Sequence, residues 1–376
     1  MHTPVFINHT LKEPLKGRGA NSRPPNRFEN FHTEKYADNA DDFEPPGPSA
    51  ATQIIRETAR SIISYNDSPD VGLEATLNPY RGCEHGCIYC YARPTHEYLG
   101  FSCGLDFETK IVVKENAPEL LRKTLSSPRW QPKVVGLSGI TDCYQPIERK
   151  LQITRKCLEV FTGFLNPVVI ITKNYLVTRD IDLLEKLAQN HAVGVLISVT
   201  TLDAQLARRM EPRTSQPQRR LEAIRALSGA QIPVGVNVAP VIPGLTDYQI
   251  PSILSAAKAA GAQFAGYTVL RLPYGVAGLF EEWLSRHFPE RKQKILNRIR
   301  SIREGKLNDP NFHSRMEGKG IYADEIAQVF SLWHRRLGLS EGGPRLSTES
   351  FRRPHLRQME LFAGADQAGL IDAGDP

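Results

Sequence analysis

Arg81-Gly82-Cys83-Glu84-His85-Gly86-Cys87-Ile88-Tyr89-Cys90-Tyr91 is the stretch from which the rest of the chain can be read. It sets three thiols in a C-x3-C-x2-C run within eight residues, a crowding that side-chain packing does not call for. One loop can wrap such thiols around an inorganic centre, and thiolates are the ligands of iron–sulfur clusters. A cubane cluster needs four ligands, so three cysteines leave one iron without a protein ligand. A small molecule can bind there and accept an electron. Two plainer readings stand beside this one. Zinc accepts mixed sulfur and nitrogen sites, with His85 or His96 as fourth ligand. The thiols could also be stray, or disulfide partners in a secreted chain. Zinc ribbons and fingers usually carry two separated ligand pairs, and the sequence has no second C-x2-C and no H-x3-H.

Outward from the motif, the chain has 376 residues, 40% hydrophobic and 23% charged, which is enough apolar material for a large core. Three of its six cysteines are clustered, no long apolar run occurs, and Met1 is followed by His2-Thr3-Pro4 rather than by a basic leader. These features predict a soluble, reduced, cytoplasmic protein with no membrane segment. The formal charge of +6 suits a polyanionic partner without demanding one.

Residues 1–53 are rich in Pro, Asn, Arg, Asp and Gly, punctuated by Gly17-Arg18-Gly19-Ala20 and Glu44-Pro45-Pro46-Gly47-Pro48. They read as an extended, partly disordered arm that drapes over the body or closes over the site as a lid. Between 54 and 275, short apolar runs alternate with helical patterns. Strands are expected at Leu73 to Leu77, Lys133 to Leu137, Pro167 to Thr172, Val193 to Val199, Ile232 to Ala239 and Phe264 to Leu270. Helices are expected from Arg149 to Phe164, Asp180 to Asn190, Gln218 to Ser228 and Ile250 to Ala260. Strands this apolar, alternating with helices, imply a covered parallel sheet. Six β/α units favour an α/β fold of the partial (β/α)6 TIM-barrel type, whose catalytic loops sit at the carboxyl ends of the strands. The cysteine loop follows the first strand, where chemistry belongs. Residues 276–340 form a basic helical extension, with one helix from Leu279 to Arg303 and another from Tyr322 to Leu337. A Gly-, Pro- and Arg-rich mobile tail covers 341–376.

Further segments give the chain a family resemblance. Asn78-Pro79-Tyr80 before the cysteines is one, with Thr141-Asp142-Cys143-Tyr144-Gln145-Pro146, Ile171-Thr172-Lys173 and Ile197-Ser198-Val199-Thr200-Thr201-Leu202. Met210-Glu211-Pro212-Arg213 and Ala239-Pro240-Val241-Ile242-Pro243-Gly244-Leu245 complete the set. Together with the cysteine run they resemble radical S-adenosylmethionine (radical SAM) enzymes, in particular the group related to spore photoproduct lyase and its DNA repair photolyase-like relatives. The resemblance covers about Ile54 to Pro273 and extends, for those relatives, towards Pro354.

It implies a [4Fe-4S] cluster held by Cys83, Cys87 and Cys90. S-adenosyl-L-methionine (SAM) at the open iron would be cleaved reductively to a 5′-deoxyadenosyl radical that takes hydrogen from an unidentified substrate. An electron donor such as flavodoxin or ferredoxin is implied as a partner. Where many family members carry Gly-Gly-Glu after the second strand, this chain has Ser138-Gly139-Ile140-Thr141-Asp142. Thr141 and Asp142 therefore take the methionyl ammonium. Lys173 and Ser198 fall where relatives contact the methionyl carboxylate and ribose; the plainer reading of Lys173 is a solvated strand-end lysine. Glu211 and Arg213 pair with the charged ends of SAM or with each other. Asn237, Pro240 and Ile242 flank the adenine, and Leu270 and Arg271 close that pocket. Tyr89 packs against or shields the cluster. Spore photoproduct lyase has a hydrogen-donating cysteine where Gly139 stands here. Cys143 is either a donor from the other side of that turn or a passive buried thiol, which leaves thymine-dimer repair open.

The basic helix, with Arg286, Arg291, Lys292, Lys294, Arg298, Arg300 and Arg303, makes nucleic acid a candidate substrate. Interspersed Glu281, Glu282, Glu290 and Glu304 also fit an ordinary solvated face. The reading from another class is a non-enzymatic zinc-binding, nucleic-acid-binding protein.

Overall fold

The computed structural model describes residues 15–28, 51–340 and 342–354. Ten strands are used below: β1 (Gln53–Glu57), β2 (Ile63–Tyr65), β3 (Ala75–Leu77), β4 (Tyr80–Arg81), β5 (Lys110–Lys114), β6 (Val135–Leu137), β7 (Val168–Thr172), β8 (Val193–Ser198), β9 (Val234–Val241) and β10 (Phe264–Val269). The main sheet runs β10-β9-β8-β7-β6-β3-β2. Every pairing from β3 to β10 is parallel, and β2 joins β3 antiparallel. The sheet is an open, partial barrel of six parallel strands with helices on its outer face.

The β-branched outer positions explain why these runs pair as strands. Val168, Ile170, Val195, Ile197, Val236 and Val238 are buried and share a core with Leu158, Phe161, Leu184, Leu187, Ile224, Leu227, Ile253 and Leu254 from the covering helices. Each such side chain contributes about 1.5–3 kcal/mol by leaving water. The alternate positions face inward and are smaller or more polar: Gly136, Gly194, Leu196, Ser198, Gly235 and Asn237 share the other face by register. A partial barrel thereby keeps an interior.

Two expected helices are broken in the structure. Arg149 to Phe164 becomes Glu148–Leu151 and Ile153–Phe164, separated at Gln152, whose φ is 55°. The Glu148 carboxylate accepts the Thr154 N–H at 3.0 Å and caps the second piece. The basic helix becomes Gly275–His287 and Lys292–Ser301. Pro289 cannot donate to the helical ladder and restricts Phe288 before it, so the helix must stop there. A second sheet, β1-β5-β4, was not foreseen; β1 lies parallel to β5, and β4 antiparallel.

Of the arm, residues 15–28 lie across the cysteine loop; Glu44-Pro45-Pro46-Gly47-Pro48 lies outside the described residues. The described piece of the tail is docked. Pro344 sits so close to Gly194 that a Cβ there would meet it at 2.8 Å. Ser347 N–H donates to His191 O at 2.9 Å, Arg352 N–H to Phe164 O at 2.9 Å, and Arg353 to Trp130 O at 2.9 Å. This strand of chain crosses the end of the barrel opposite the cysteines.

Candidate active site

β4 delivers the chain to Gly82, which has φ 76° and whose Cβ would lie 2.9 Å from Lys110 O, so only glycine turns here. The loop that follows is fastened at both rims. Cys83 N–H donates to Phe107 O (2.8 Å), Glu84 N–H to Gln145 Oε1 (2.8 Å) and Ile88 N–H to Met210 O (2.9 Å). Arg93, fully buried, gives Nε–H to Cys87 O (2.9 Å), Nη1–H to Gly104 O (2.9 Å) and Nη2–H to the equally buried Glu108 (2.5 Å). Glu108 also accepts the Gly19 and Ala20 N–H groups, at 2.9 and 2.8 Å. A Cβ on Gly19 would stand 1.9 Å from Gly86 O, so the arm can cross the loop only as glycine.

The cysteines carry no disulfide, and Cys90 is the most open of the three. Burial raises all three thiols. Asp142 and the other two cysteines add to the rise at Cys83, while Lys173 opposes it at Cys87 and Arg93 opposes it at Cys90. Such thiols ionise readily only against a cationic metal core. Among the described residues, no three His, Cys, Asp or Glu side chains converge as they would around one ion. The imidazoles offered as a fourth zinc ligand are engaged or turned away. His85 Nδ1 faces Asp142 at 3.3 Å and its Nε2 meets Asn174 Nδ2 at 3.1 Å. His96 is buried between Phe101 and Phe107, edge-on to the latter, with neither ring nitrogen hydrogen-bonded. Three loop thiols with no fourth protein ligand beside them among the described residues fit a [4Fe-4S] cluster with one open iron.

The expected SAM residues fall into two groups. Lys173 just past β7, Ser198 at the end of β8 and Asn237 midway along the longer β9 stand in one row. Thr172 pairs with Ile197, and Ser198 pairs with Asn237. Lys173 Nζ donates to Thr200 Oγ1 (3.1 Å) and Ala239 O (2.8 Å), and lies 3.7 Å from Glu211. Burial lowers its pKa and Glu211 resists that. The Ser198 hydroxyl and the Asn237 amide have no hydrogen-bond partner among the described residues, so they are open to a ligand.

The second group is taken up by the protein. Asp142 accepts from Thr172 Oγ1 (2.8 Å), Lys173 N–H (2.8 Å) and Tyr144 N–H (2.9 Å) besides His85. Burial would raise its pKa, yet His85 and these donors hold it below the usual carboxylate range. Thr141 donates to Tyr80 O at 2.9 Å. Glu211 and Arg213 do not pair with each other. Glu211 is fully buried, held by Arg220 at 2.5 Å and by the Tyr89 hydroxyl. Burial opposes its charge, but Arg220 and Lys173 win and its pKa is lowered. Arg213 instead pairs with Glu84 at 3.1 Å.

Tyr89 is buried against the loop, its hydroxyl also 3.1 Å from Thr200 Oγ1. Pro240 follows a cis bond from Ala239 and is half-buried, while Ile242 and Leu270 are core residues. Arg271 stands over Tyr91, 5.2 Å from the ring centroid. Cys143 is completely buried in the helix-side core beside Leu77, Tyr80 and Tyr144, and its thiol pKa is raised well above normal by burial and by Asp142. Sequence reading missed Arg93, Arg220 and Thr200. Arginines in helical or turn segments look solvated, and only the acidic residues at 108 and 211 hinted at buried partners.

The family model of the Radical SAM superfamily matches residues 77–257. A protein of Mycobacterium tuberculosis is 39% identical over 246 residues, covering 64% of this chain and 71% of its own length. One of Methanocaldococcus jannaschii is 27% identical over 246 residues, covering 65% and 88%. Among solved structures, spore photoproduct lyase complexed with dinucleoside spore photoproduct has a TM-score of 0.53 at 18% identity, over 76% of this chain and 78% of that one. A mutant of the same lyase with bound AdoMet and the dinucleoside gives the same figures. At that identity the likeness shows the fold.

The chain belongs to the radical SAM superfamily. It is a radical SAM enzyme, and its cofactors are a [4Fe-4S] cluster and S-adenosylmethionine. Among the described residues no helix is long and apolar enough to cross a membrane.

Proposed function

We propose that this enzyme generates its radical at the cysteine loop and acts on a nucleic acid. The observation that carries the reading is the row Lys173–Ser198–Asn237, which crosses three parallel strands beside the loop of Cys83, Cys87 and Cys90. When bound, the cluster and SAM supply one-electron cleavage of a sulfonium and hydrogen abstraction from substrate. The chain's own part is to hold and orient. Lys173 sets a cation beside Cys87 and Cys90, where it meets a carboxylate, while Ser198 and Asn237 offer unfilled hydrogen-bonding groups to a ribose or base edge. Asp142 and Thr141 position rather than bind: Asp142 ties the second strand's loop to Lys173 and His85, and Thr141 ties it to β4. Glu211, neutralised by Arg220, fixes Tyr89 and so excludes water from one wall.

Nucleic acid as substrate rests on the lyase of the same fold, whose structure holds a dinucleoside, and on the positive charge of the chain. The basic helix supports it less than the sequence suggested. Arg303 is buried and bonded to Leu270 O (2.8 Å), Arg291 reaches Gly244 O (2.7 Å) and Arg298 reaches the Tyr322 hydroxyl (3.1 Å). The role of electron donor is assigned to a flavodoxin or ferredoxin.

Anaerobic reconstitution, reduction and addition of SAM test the enzyme reading. 5′-Deoxyadenosine should form, and Cys90→Ala should lose both iron and product. A fully loaded cluster that yields no 5′-deoxyadenosine defeats it. Stimulation of product by a single-stranded oligodeoxynucleotide, and not by a peptide of equal charge, tests the substrate.

A further inference from the structure

Two residues beyond β10, Arg271 stands at the carboxyl rim of the barrel with no carboxylate partner among the described residues. Its Nε is buried and unbonded. Its Nη1 finds only the Met316 sulfur at 3.5 Å, a weak acceptor. Its guanidinium lies on the face of Tyr91, next in sequence to Cys90, the most open of the three cysteines. The Tyr91 hydroxyl in turn donates to Gly139 O at 2.8 Å, on the opposite side of the mouth. Beside Arg271 stands a second guanidinium, Arg315, which holds Asp70 and donates to Ser68 at 2.6 Å.

Burial and then Arg315 lower the pKa of Arg271, and Tyr91 and Asp70 only partly offset them. Of the two guanidiniums at this rim, only Arg315 holds a carboxylate. A half-buried cation without a counter-ion costs free energy that an arriving anion returns. The fork geometry of arginine matches phosphate oxygens. Each guanidinium lies on a half-exposed ring, Arg271 on Tyr91 at 5.2 Å and Arg315 on Phe312 at 4.5 Å, and exposed aromatic faces are what bases of a single strand stack on.

We infer that Arg271, with Arg315 beside it and the Tyr91 and Phe312 rings lying against the two guanidiniums, is a binding site for a phosphate group of the substrate. The site rests on the nucleic-acid reading above and sharpens it to a phosphodiester of a single strand entering over Tyr91. Arg271 is thus turned to substrate rather than to adenine.

The test uses the full chain with its cluster reconstituted, and measures binding of fluorescein-labelled oligo-dT and, separately, of inorganic pyrophosphate. Arg271→Gln should weaken oligo-dT binding about tenfold and reduce the salt slope by about 1. Arg271→Lys should recover part of the loss. Lys294→Gln, on the exposed face of helix 292–301, should lose far less. Iron content and melting temperature establish that each variant is folded, and Arg271→Lys serves if Arg271→Gln is not. Binding of oligo-dT that ignores Arg271 overturns the site and leaves the nucleic-acid reading standing. Arg271-dependent binding of pyrophosphate with none of oligo-dT keeps the phosphate site and removes nucleic acid as the substrate. Binding of neither overturns the site.

Discussion

The cysteine loop and the rim around Arg271 lie close together and are built on opposite terms. Around the loop, each buried carboxylate is met by donors: Glu108 by Arg93, Glu211 by Arg220 and the Tyr89 hydroxyl, and Asp142 by Thr172 and the Lys173 N–H. At the rim, Arg271 has no anion and its Nε lacks any acceptor. Satisfied networks fix geometry, because moving any member leaves a buried charge alone. Unsatisfied groups are stable only where something else completes them. The contrast separates a scaffold that must hold a metal centre still from a surface that waits for substrate.

The sharpest way to break that contrast is Arg93→Met. It takes from the fully buried Glu108 carboxylate the guanidinium that touches it, at a cost of about 3–5 kcal/mol. Urea unfolding of the apoprotein should shift accordingly, and alkylation of Cys83 and Cys87 should accelerate. Arg271→Gln, which removes an unpaired cation, should leave the same midpoint nearly where it was. Equal midpoints for Arg93→Met and the parent would mean that the loop is held by something other than its charge network.

His96 is an exception inside this region, with neither ring nitrogen bonded, and it predicts a pH effect. Burial lowers its pKa from 6.5 to about 4, against weaker opposition from Asp106. Between those values the unfolded chain binds a proton that the folded one refuses. Its contribution to stability is therefore complete above the unfolded pKa and is lost as pH falls towards about 4. The difference of roughly 2.5 pKa units corresponds to about 3 kcal/mol over the whole window, as an order of magnitude. His96→Phe, which suits the neighbouring Phe101 and Phe107 rings, should flatten the stability difference between pH 7 and pH 5. An unchanged slope would show that His96 finds a partner in solution.

How much of this was legible follows from the same physics. The six parallel strands were readable because both faces are covered and the sequence is apolar throughout, as in Val193–Ser198. The cysteine loop was readable because three thiols have few structural uses. The second sheet was hidden because β4 has two residues and β1 is mostly exposed, so neither shows a hydrophobic period. Lys110–Lys114 did carry a signal, Ile111-Val112-Val113, which went unread. Asp142 was placed at the right loop, but sequence cannot tell a carboxylate that faces a ligand from one whose oxygens are already taken. The basic helix misled for the reverse reason: Arg303 and Arg298 look solvated in one dimension and are bonded in three.

The smallest expected effect lies on the rim itself. The partial barrel leaves a seam between its edge strands β2 and β10. At the mouth that seam is bridged by Arg315 to Asp70 and Ser68, with the His313 N–H donating to Asp70 at 2.5 Å. These contacts join two flanking segments, 66–72 and 309–317, and no core strand depends on them. Arg315→Gln should therefore leave the melting temperature close to that of the parent while amide exchange at His313 and its neighbours speeds up. If Arg315→Gln instead unfolds the chain as Arg93→Met does, the rim belongs to the clamped scaffold, and a mouth that opens for substrate has to be sought elsewhere along the sheet.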